Sequence, residues 1–261
     1  MNQTPVLTAE SVSLVYSDGG RETYALRDVS LSLPSRGFVG IMGPSGSGKS
    51  SLLYILSGLK RPTRGTVRLR DFEYGRQVER ELIALRRYRF GFVFQQPYLV
   101  TWQTALENVL MGAPEIDRAA LDKANAFFVQ LGVDGLENKL PSQLSGGEKQ
   151  RVCVARAMMN DPEVIFADEP TASLDHVNGH RVVDMLAGYR DRGSIVVVTH
   201  DPEMLVGADS VLIMRDGQQV GWKKPAELEL RGNRATDLGA STLDRVAESD
   251  VRTPDRSAAT L

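Results

Sequence analysis

Gly43-Pro-Ser-Gly-Ser-Gly-Lys-Ser50 follows the apolar run Phe38-Val-Gly-Ile-Met42 and opens a segment with apolar residues at helical spacing. No other feature restricts the fold as much. A glycine-rich turn between a buried strand and a helix N-terminus requires an α/β core whose backbone N–H groups curve around an anion. The string fits G-x-x-x-x-G-K-[ST], so Gly43, Pro44, Ser45, Gly46, Ser47 and Gly48 form a phosphate-binding turn. Lys49 supplies a cation for the β- and γ-phosphates of a nucleotide, Ser50 a hydroxyl for Mg²⁺, and Ser51 a further phosphate hydrogen bond.

Hydrophobic patterning extends this unit in both directions. Ser11 to Tyr16 and Leu26 to Leu33 alternate apolar and polar residues around Asp18-Gly19-Gly20, the pattern of antiparallel strands with one solvated face. A helix is expected over Lys49 to Leu59, stopped by Gly58 and Pro62, and an edge strand over Gly65 to Arg70. Gly91-Phe-Val-Phe94, Val164 to Ala167, Ser194 to Thr199 and Val211 to Met214 read as short strands, the last turned by Asp216-Gly217. Helical spacing covers Ala105 to Met111, Arg118 to Leu131, Gly146 to Met159 and His176 to Arg192. Buried parallel strands alternating with helices imply a doubly wound core. After about Lys224 large apolar residues thin out. Residues 225–261 therefore read as a polar, largely disordered tail with at most one loose helix near Leu238 to Ala247.

Composition removes several classes of function. A net charge of −2 gives no support for a nucleic-acid surface. The single cysteine, Cys153, excludes an internal disulfide, fits a reducing compartment and reads as a small core residue. No apolar run approaches the roughly 20 residues of a spanning helix. Met1 to Val6 lack the basic-then-apolar pattern of a signal peptide. The expectation is a cytoplasmic protein whose membrane role, if any, comes through a partner.

Asp168-Glu169 ends the apolar strand Val164-Ile-Phe-Ala167. Two adjacent acids there are costly unless they serve a cation or a reaction. Leu144-Ser-Gly-Gly-Glu-Lys-Gln-Arg151 lies about a hundred residues after the phosphate loop and precedes that strand. In this order the strings resemble the signature of the ATP-binding cassette family, from about Leu7 to Lys224. The resemblance implies a P-loop NTPase core with a mostly parallel sheet, an N-terminal antiparallel β subdomain and an α-helical insertion at about 96–145. It also implies an ATPase that uses ATP and Mg²⁺ and pairs with a second copy of itself.

Residue roles come with the resemblance. Asp168 matches the aspartate on the Mg²⁺ side, and Glu169 the general base that polarises the attacking water. His200, directly after Val196-Val-Val-Thr199, matches the histidine that contacts the γ-phosphate and that water. Gln95 resembles the glutamine that reaches both Mg²⁺ and the transport partner; it is preferred to Gln96 because it directly follows the strand. Tyr16 resembles the aromatic residue that stacks on adenine, with Tyr24 as a nearby alternative. Ser145, Gly146 and Gly147 open a helix, an anion site that in the family caps the γ-phosphate held by the other subunit. Ser173-Leu-Asp175 resembles the segment that crosses the dimer interface, which adds Asp175 to the nucleotide site.

Tyr16 to Val29 and Thr104-Ala-Leu-Glu-Asn-Val109 are similar to the lipoprotein-releasing and macrolide-export subfamily, whose members pair with integral membrane permeases. The expected location is then peripheral, at the inner face of the cell membrane. Gln96-Pro-Tyr-Leu-Val-Thr-Trp102 departs from the wording of that subfamily where the permease would dock. Its residues Leu99, Val100 and Trp102 read either as an exposed contact cluster or as packing against the helical insertion. The competing reading is a cassette ATPase of DNA repair, chromosome organisation or translation. Such relatives carry two cassettes, a coiled-coil insertion or a zinc-bearing insertion, whereas this chain has one phosphate loop and one cysteine. A module that binds without hydrolysing would lack Glu169 or His200, and both are present.

Overall fold

The computed structural model describes residues 4–228 apart from 75, 76 and 173. Ser173 and the tail beyond Leu228, with the helix expected near Leu238, lie outside the described residues.

Strands β1 (Pro5–Asp18) and β2 (Arg21–Pro34) form a hairpin, closed through Gly19 and Gly20, both with positive φ. Glycine at both turn positions is what a two-residue hairpin turn requires. β1 also pairs with β4 (Arg64–Leu69), and β4 with the two-residue β5 (Phe72–Glu73). This gives an antiparallel sheet in the order β2-β1-β4-β5. The strand expected at the edge, β4, is therefore interior, and the short β5 is the edge.

The second sheet has six strands in the order β10-β9-β3-β8-β7-β6. They are β3 (Gly37–Met42), β6 (Phe90–Val93), β7 (Val164–Asp168), β8 (Ser194–Thr199), β9 (Ser210–Arg215) and β10 (Gln218–Lys223). All pairings are parallel except that of β10 with β9. β7 and β8 are buried throughout, as their continuous apolar runs require of strands covered on both faces.

The period-two geometry of strands divides the core. Phe38, Ile165, Ala167, Ile195 and Val197 belong to one cluster, and Val39, Ile41, Phe166, Val196 and Val198 to the other. The first cluster takes in α3 (Ala105–Leu110), α4 (Arg118–Gln130), α5 (Gly146–Met158) and α6 (His176–Gly188). The second holds α1 (Lys49–Leu56) and the inner face of the antiparallel sheet. Each fully buried Phe, Leu or Ile contributes about 1.5–3 kcal/mol.

α1 ends at Leu56, earlier than expected, because Gly58 takes the left-handed conformation (φ 65°). A helix that the sequence pattern does not signal, α2 (Glu79–Arg89), precedes β6 and buries only Leu82 within it. His176 to Arg192 divides into α6 and a 3₁₀ turn at Tyr189–Asp191. Cys153 is buried in α5, and burial pushes its thiol up to about 11. That agrees with a packing role and not a reactive one.

Because β3, β8, β7 and β6 run parallel, their C-terminal ends share one edge of the sheet. The phosphate loop, His200, Asp168-Glu169 and Gln95 leave from those four ends. Ligands of open α/β sheets bind in the crevice at this edge.

Candidate active site

The phosphate loop is wedged between neighbouring backbone segments. Gly48 has φ 94° and caps α1, and a Cβ there would lie 2.5 Å from the Ala25 carbonyl oxygen. A Cβ at Gly43 would overlap the Met214 carbonyl oxygen. The loop is held by Ser47 N–H donating to the Pro44 carbonyl (3.1 Å) and Gly217 N–H donating to the Ser47 carbonyl (3.1 Å). Lys49 is buried to 8 % exposure and donates to the carbonyls of Gly43 (2.9 Å) and Pro44 (3.0 Å), so its charge stands inside the turn. The buried Ser47 hydroxyl has no hydrogen-bond partner among the described residues. A cradle that excludes side chains and holds an ammonium and an unpaired hydroxyl suits an oxyanion.

Beyond the loop, the Ser50 hydroxyl donates to Asp168 Oδ1 at 3.0 Å, joining α1 to the end of β7. Burial raises the Asp168 carboxyl above its ordinary range, and hydrogen bonds from Ser50 and Tyr54 act against burial. The adjacent Glu169 raises it further, while Lys49 lowers it. A hydroxyl and a carboxylate 3.0 Å apart, in a site that penalises bare negative charge, are hard oxygen donors of the type Mg²⁺ prefers. No motif in the sequence points to Tyr54 beside this pair.

Glu169 is the next residue, and its φ of 46° is left-handed. A non-glycine residue there costs about 1–3 kcal/mol and persists only when neighbours hold it. Its N–H donates to the Val198 carbonyl (2.8 Å). Its carboxylate accepts from Thr199 Oγ1 (3.2 Å) and contacts His200 Nδ1 (2.9 Å). The strained backbone thus aims a carboxylate across the end of β8. In the sequence Thr199 reads only as part of a strand; nothing in its context separates it from the preceding valines.

The remaining expected residues lie around this centre. Val93 pairs with Ala167, so Gln95 stands just beyond β6 on the same sheet edge as Asp168, and it is exposed. Tyr16 is 46 % exposed and carries Lys60 over its ring, Nζ 4.0 Å from the centroid. Tyr24 is engaged by the Arg27 guanidinium, 4.6 Å from its ring centroid. Ser145 caps α5 in a capping box, accepting from Glu148 N–H (3.3 Å) while Glu148 Oε2 accepts from Ser145 N–H (2.7 Å). Ser145 and Gly146 are exposed, and no hydrogen bond among the described residues joins them to residues 43–51. Asp175 caps α6 by accepting from Asn178 N–H (3.0 Å).

The structure adds a link absent from the motifs. Gln150, fully buried on α5, donates to the Phe94 carbonyl at 2.8 Å, one residue before Gln95. Beyond Gln95, the loop at Val100 to Thr104 is organised by buried Asn108. Its amide donates to the carbonyls of Val100, Gln103 and Thr104, and its oxygen accepts from Val100 N–H. Leu99 packs on the core and Val100 is half-buried, but Trp102 is 80 % exposed. Packing of Trp102 against the insertion is thereby excluded.

Comparison with known proteins bears on the family and the fold. A family model described as ABC transporter matches residues 26–172. The chain is 43% identical over 222 residues to a lipoprotein-releasing system ATP-binding protein, LolD, of Aquifex aeolicus, covering 83% of this chain and 96% of that one. It is 39% identical over 219 residues to a macrolide export ATP-binding/permease protein, MacB, of Neisseria meningitidis serogroup B, covering 82% of this chain. It spans only 34% of the length of that relative. Among solved structures, the dimeric ATP-binding cassette MJ0796 bound to ADP and Pi matches with a TM-score of 0.79 at 35% identity, over 84% of this chain and 98% of that chain.

Proposed function

The chain belongs to the ABC transporter family, and from that premise we propose that it is the ATP-hydrolysing subunit of a transporter or mechanotransmitting export complex. It works as a dimer of two identical copies beneath an integral membrane permease. The observation that carries this reading is the Glu169 carboxylate, held by Thr199 and His200 beside the Ser50–Asp168 pair.

Each residue then has a defined task. The backbone amides of residues 43–50 and the Lys49 ammonium bind the phosphate chain of ATP, and Tyr16 offers a ring face to the base. Ser50 and Asp168 would hold Mg²⁺, with Gln95 completing the set from the end of β6. When bound, the cation supplies charge neutralisation at the β- and γ-phosphate oxygens. Glu169 takes a proton from the attacking water, and His200 fixes the carboxylate while facing the γ-phosphate. Among the described residues no helix is long and apolar enough to cross a membrane. On this reading the permease supplies the attachment, at the inner face of the membrane.

The exposed α5 terminus at Ser145-Gly146-Gly147 is assigned to the γ-phosphate of the facing subunit, with Asp175 at the interface. Ser145→Arg should leave ATP affinity of the monomer within about twofold. Loss of the helix cap costs only about 1 kcal/mol, so the fold survives. ATP-driven dimerisation, followed by size exclusion, should disappear because a guanidinium fills the space meant for the phosphate. Collapse of ATP binding by the isolated monomer would instead place the signature in cis and end the shared-site reading.

A cleft of about 180 Å³ lined by Tyr88, Phe92, Met111, Pro114, Arg156 and Asn160 is where we place the permease contact. From it a run of rings leads outward, Phe92 stacked on Phe94 (5.7 Å) and Phe94 edge-on to Tyr98 (5.6 Å). Trp102, four residues after Tyr98 in the chain, is exposed, and aromatic anchors of this type dominate interfaces. Trp102→Ala should weaken co-purification with the permease at least tenfold while the isolated subunit keeps its basal ATPase rate. Retained association would move the permease contact away from Trp102, whereas soluble partners from DNA or ribosome metabolism in place of a permease would favour the non-transport reading.

A further inference from the structure

We propose that His176 and His180 form a chelating site for a divalent transition cation of the zinc or copper class, with Glu203 orienting the first ligand. The chain has three histidines, and two of them occupy positions i and i+4 at the start of α6. On a helix such residues stand one above the other on a single face. Here the ring centroids are 4.3 Å apart with planes at 49°. Two histidines at this spacing supply the imidazole pair of helical zinc sites.

The second observation comes from a different segment. His176 Nε2 lies 3.5 Å from Glu203 Oε2, on the 3₁₀ turn Pro202–Leu205. Metal-ligating histidines characteristically direct the non-ligating ring nitrogen at a carboxylate, which fixes the tautomer and ring orientation. With Nε2 turned to Glu203, Nδ1 of His176 is the nitrogen offered to the cation, and the His180 ring supplies the second ligand. A surface ion pair between His176 and Glu203 contributes little. It gives no reason for a second imidazole at 4.3 Å, where two charged rings would repel. Among the described residues no set of three His, Cys, Asp or Glu side chains is gathered for a metal. The site is therefore a two-histidine chelate whose other positions are filled by water. His176 is 70 % exposed, so a cation reaches it freely.

The placement gives the site leverage. His176 directly follows Asp175, and Glu203 lies three residues after His200. A cation bound at His176 ties the segment leaving the dimer face to the segment leaving the catalytic face.

The test uses the full chain, without nucleotide or Mg²⁺, titrated with Zn²⁺ by calorimetry and loaded with Cu²⁺ for electron paramagnetic resonance. Expected are one Zn²⁺ per chain and a Cu²⁺ spectrum carrying hyperfine structure from two imidazole nitrogens. The double variant His176→Gln, His180→Gln should bind at least tenfold more weakly and lose that hyperfine pattern. Glu203→Gln should weaken binding by roughly tenfold while keeping the two-nitrogen signature. Glutamine retains good helix propensity, and circular dichroism of each variant confirms that α6 is intact. No Zn²⁺ binding by the parent chain, or equal stoichiometry and affinity in the double variant, overturns the proposal. The latter result would move the metal to His200 and Glu169.

Discussion

Glu169→Gln should lower steady-state ATP turnover by about 10²–10⁴-fold, the usual range for loss of a positioned general base. ATP affinity should stay within about twofold. The amide keeps the size of the carboxylate and one oxygen able to accept from Thr199, so the strained turn after β7 is retained. What is lost is the ability to accept a proton from water. With turnover blocked, ATP should accumulate a species of twice the monomer mass on size exclusion, and phosphate release should fall to background. Turnover near the parent rate would remove Glu169 from the reaction and move attention to His200 as the base.

The parts of the site carried by periodicity and by a phosphate loop are legible in the amino-acid sequence. β3, β7 and β8 are continuous apolar runs, and buried parallel strands leave no other reading. The start of α5 is legible because Ser145 and Glu148 form a local capping signal. Elements set by tertiary contact are not. α2 buries only Leu82 among eleven mostly charged residues, so no apolar stripe marks it. β4 looks like an edge strand because its alternation is the same whether one or two partners flank it. Tyr54, Thr199 and Gln150 take their roles from Asp168, Glu169 and Phe94, all distant along the chain. No local spacing reports such contacts.

Gly48→Ala should have the second large effect. The left-handed φ of 94° costs a side chain about 1–3 kcal/mol. The added methyl would stand 2.5 Å from the Ala25 carbonyl oxygen, which belongs to β2 and cannot swing aside. Overpacking of this kind costs a further ~1–3 kcal/mol. The chain can relieve it only by moving the loop, and that displaces the amides that cradle phosphate. ATP affinity is expected to fall by at least about 30-fold, equivalent to about 2 kcal/mol, with Tm lowered by several degrees. Gly46→Ala is the internal control. It shares a positive φ of 78°, but nothing lies within 4 Å of its Cβ position. It should lose no more than about tenfold in affinity, by fluorescence titration with a nucleotide analogue. Equal losses at both positions would assign the effect to backbone conformation alone and not to the Ala25 contact.

The hydrogen bond from Gln150 to the Phe94 carbonyl bears on timing between the two halves of a dimer. Gln150 rides on the helix whose first residues are assigned to the partner's phosphate, and Phe94 adjoins Gln95, assigned to the chain's own cation. A fully buried amide spanning the two passes movement with little slack, because breaking it strands polar atoms at a cost of about 1–3 kcal/mol. That cost sets a scale for the coupling between the two nucleotides, equivalent to roughly 5–150-fold in affinity. On the proposed shared-site arrangement, filling one half would bias the other before any bond is cleaved. On the proposed function, a dimer wired in this way would fire as a pair, and its permease would receive one stroke in place of two unsynchronised ones.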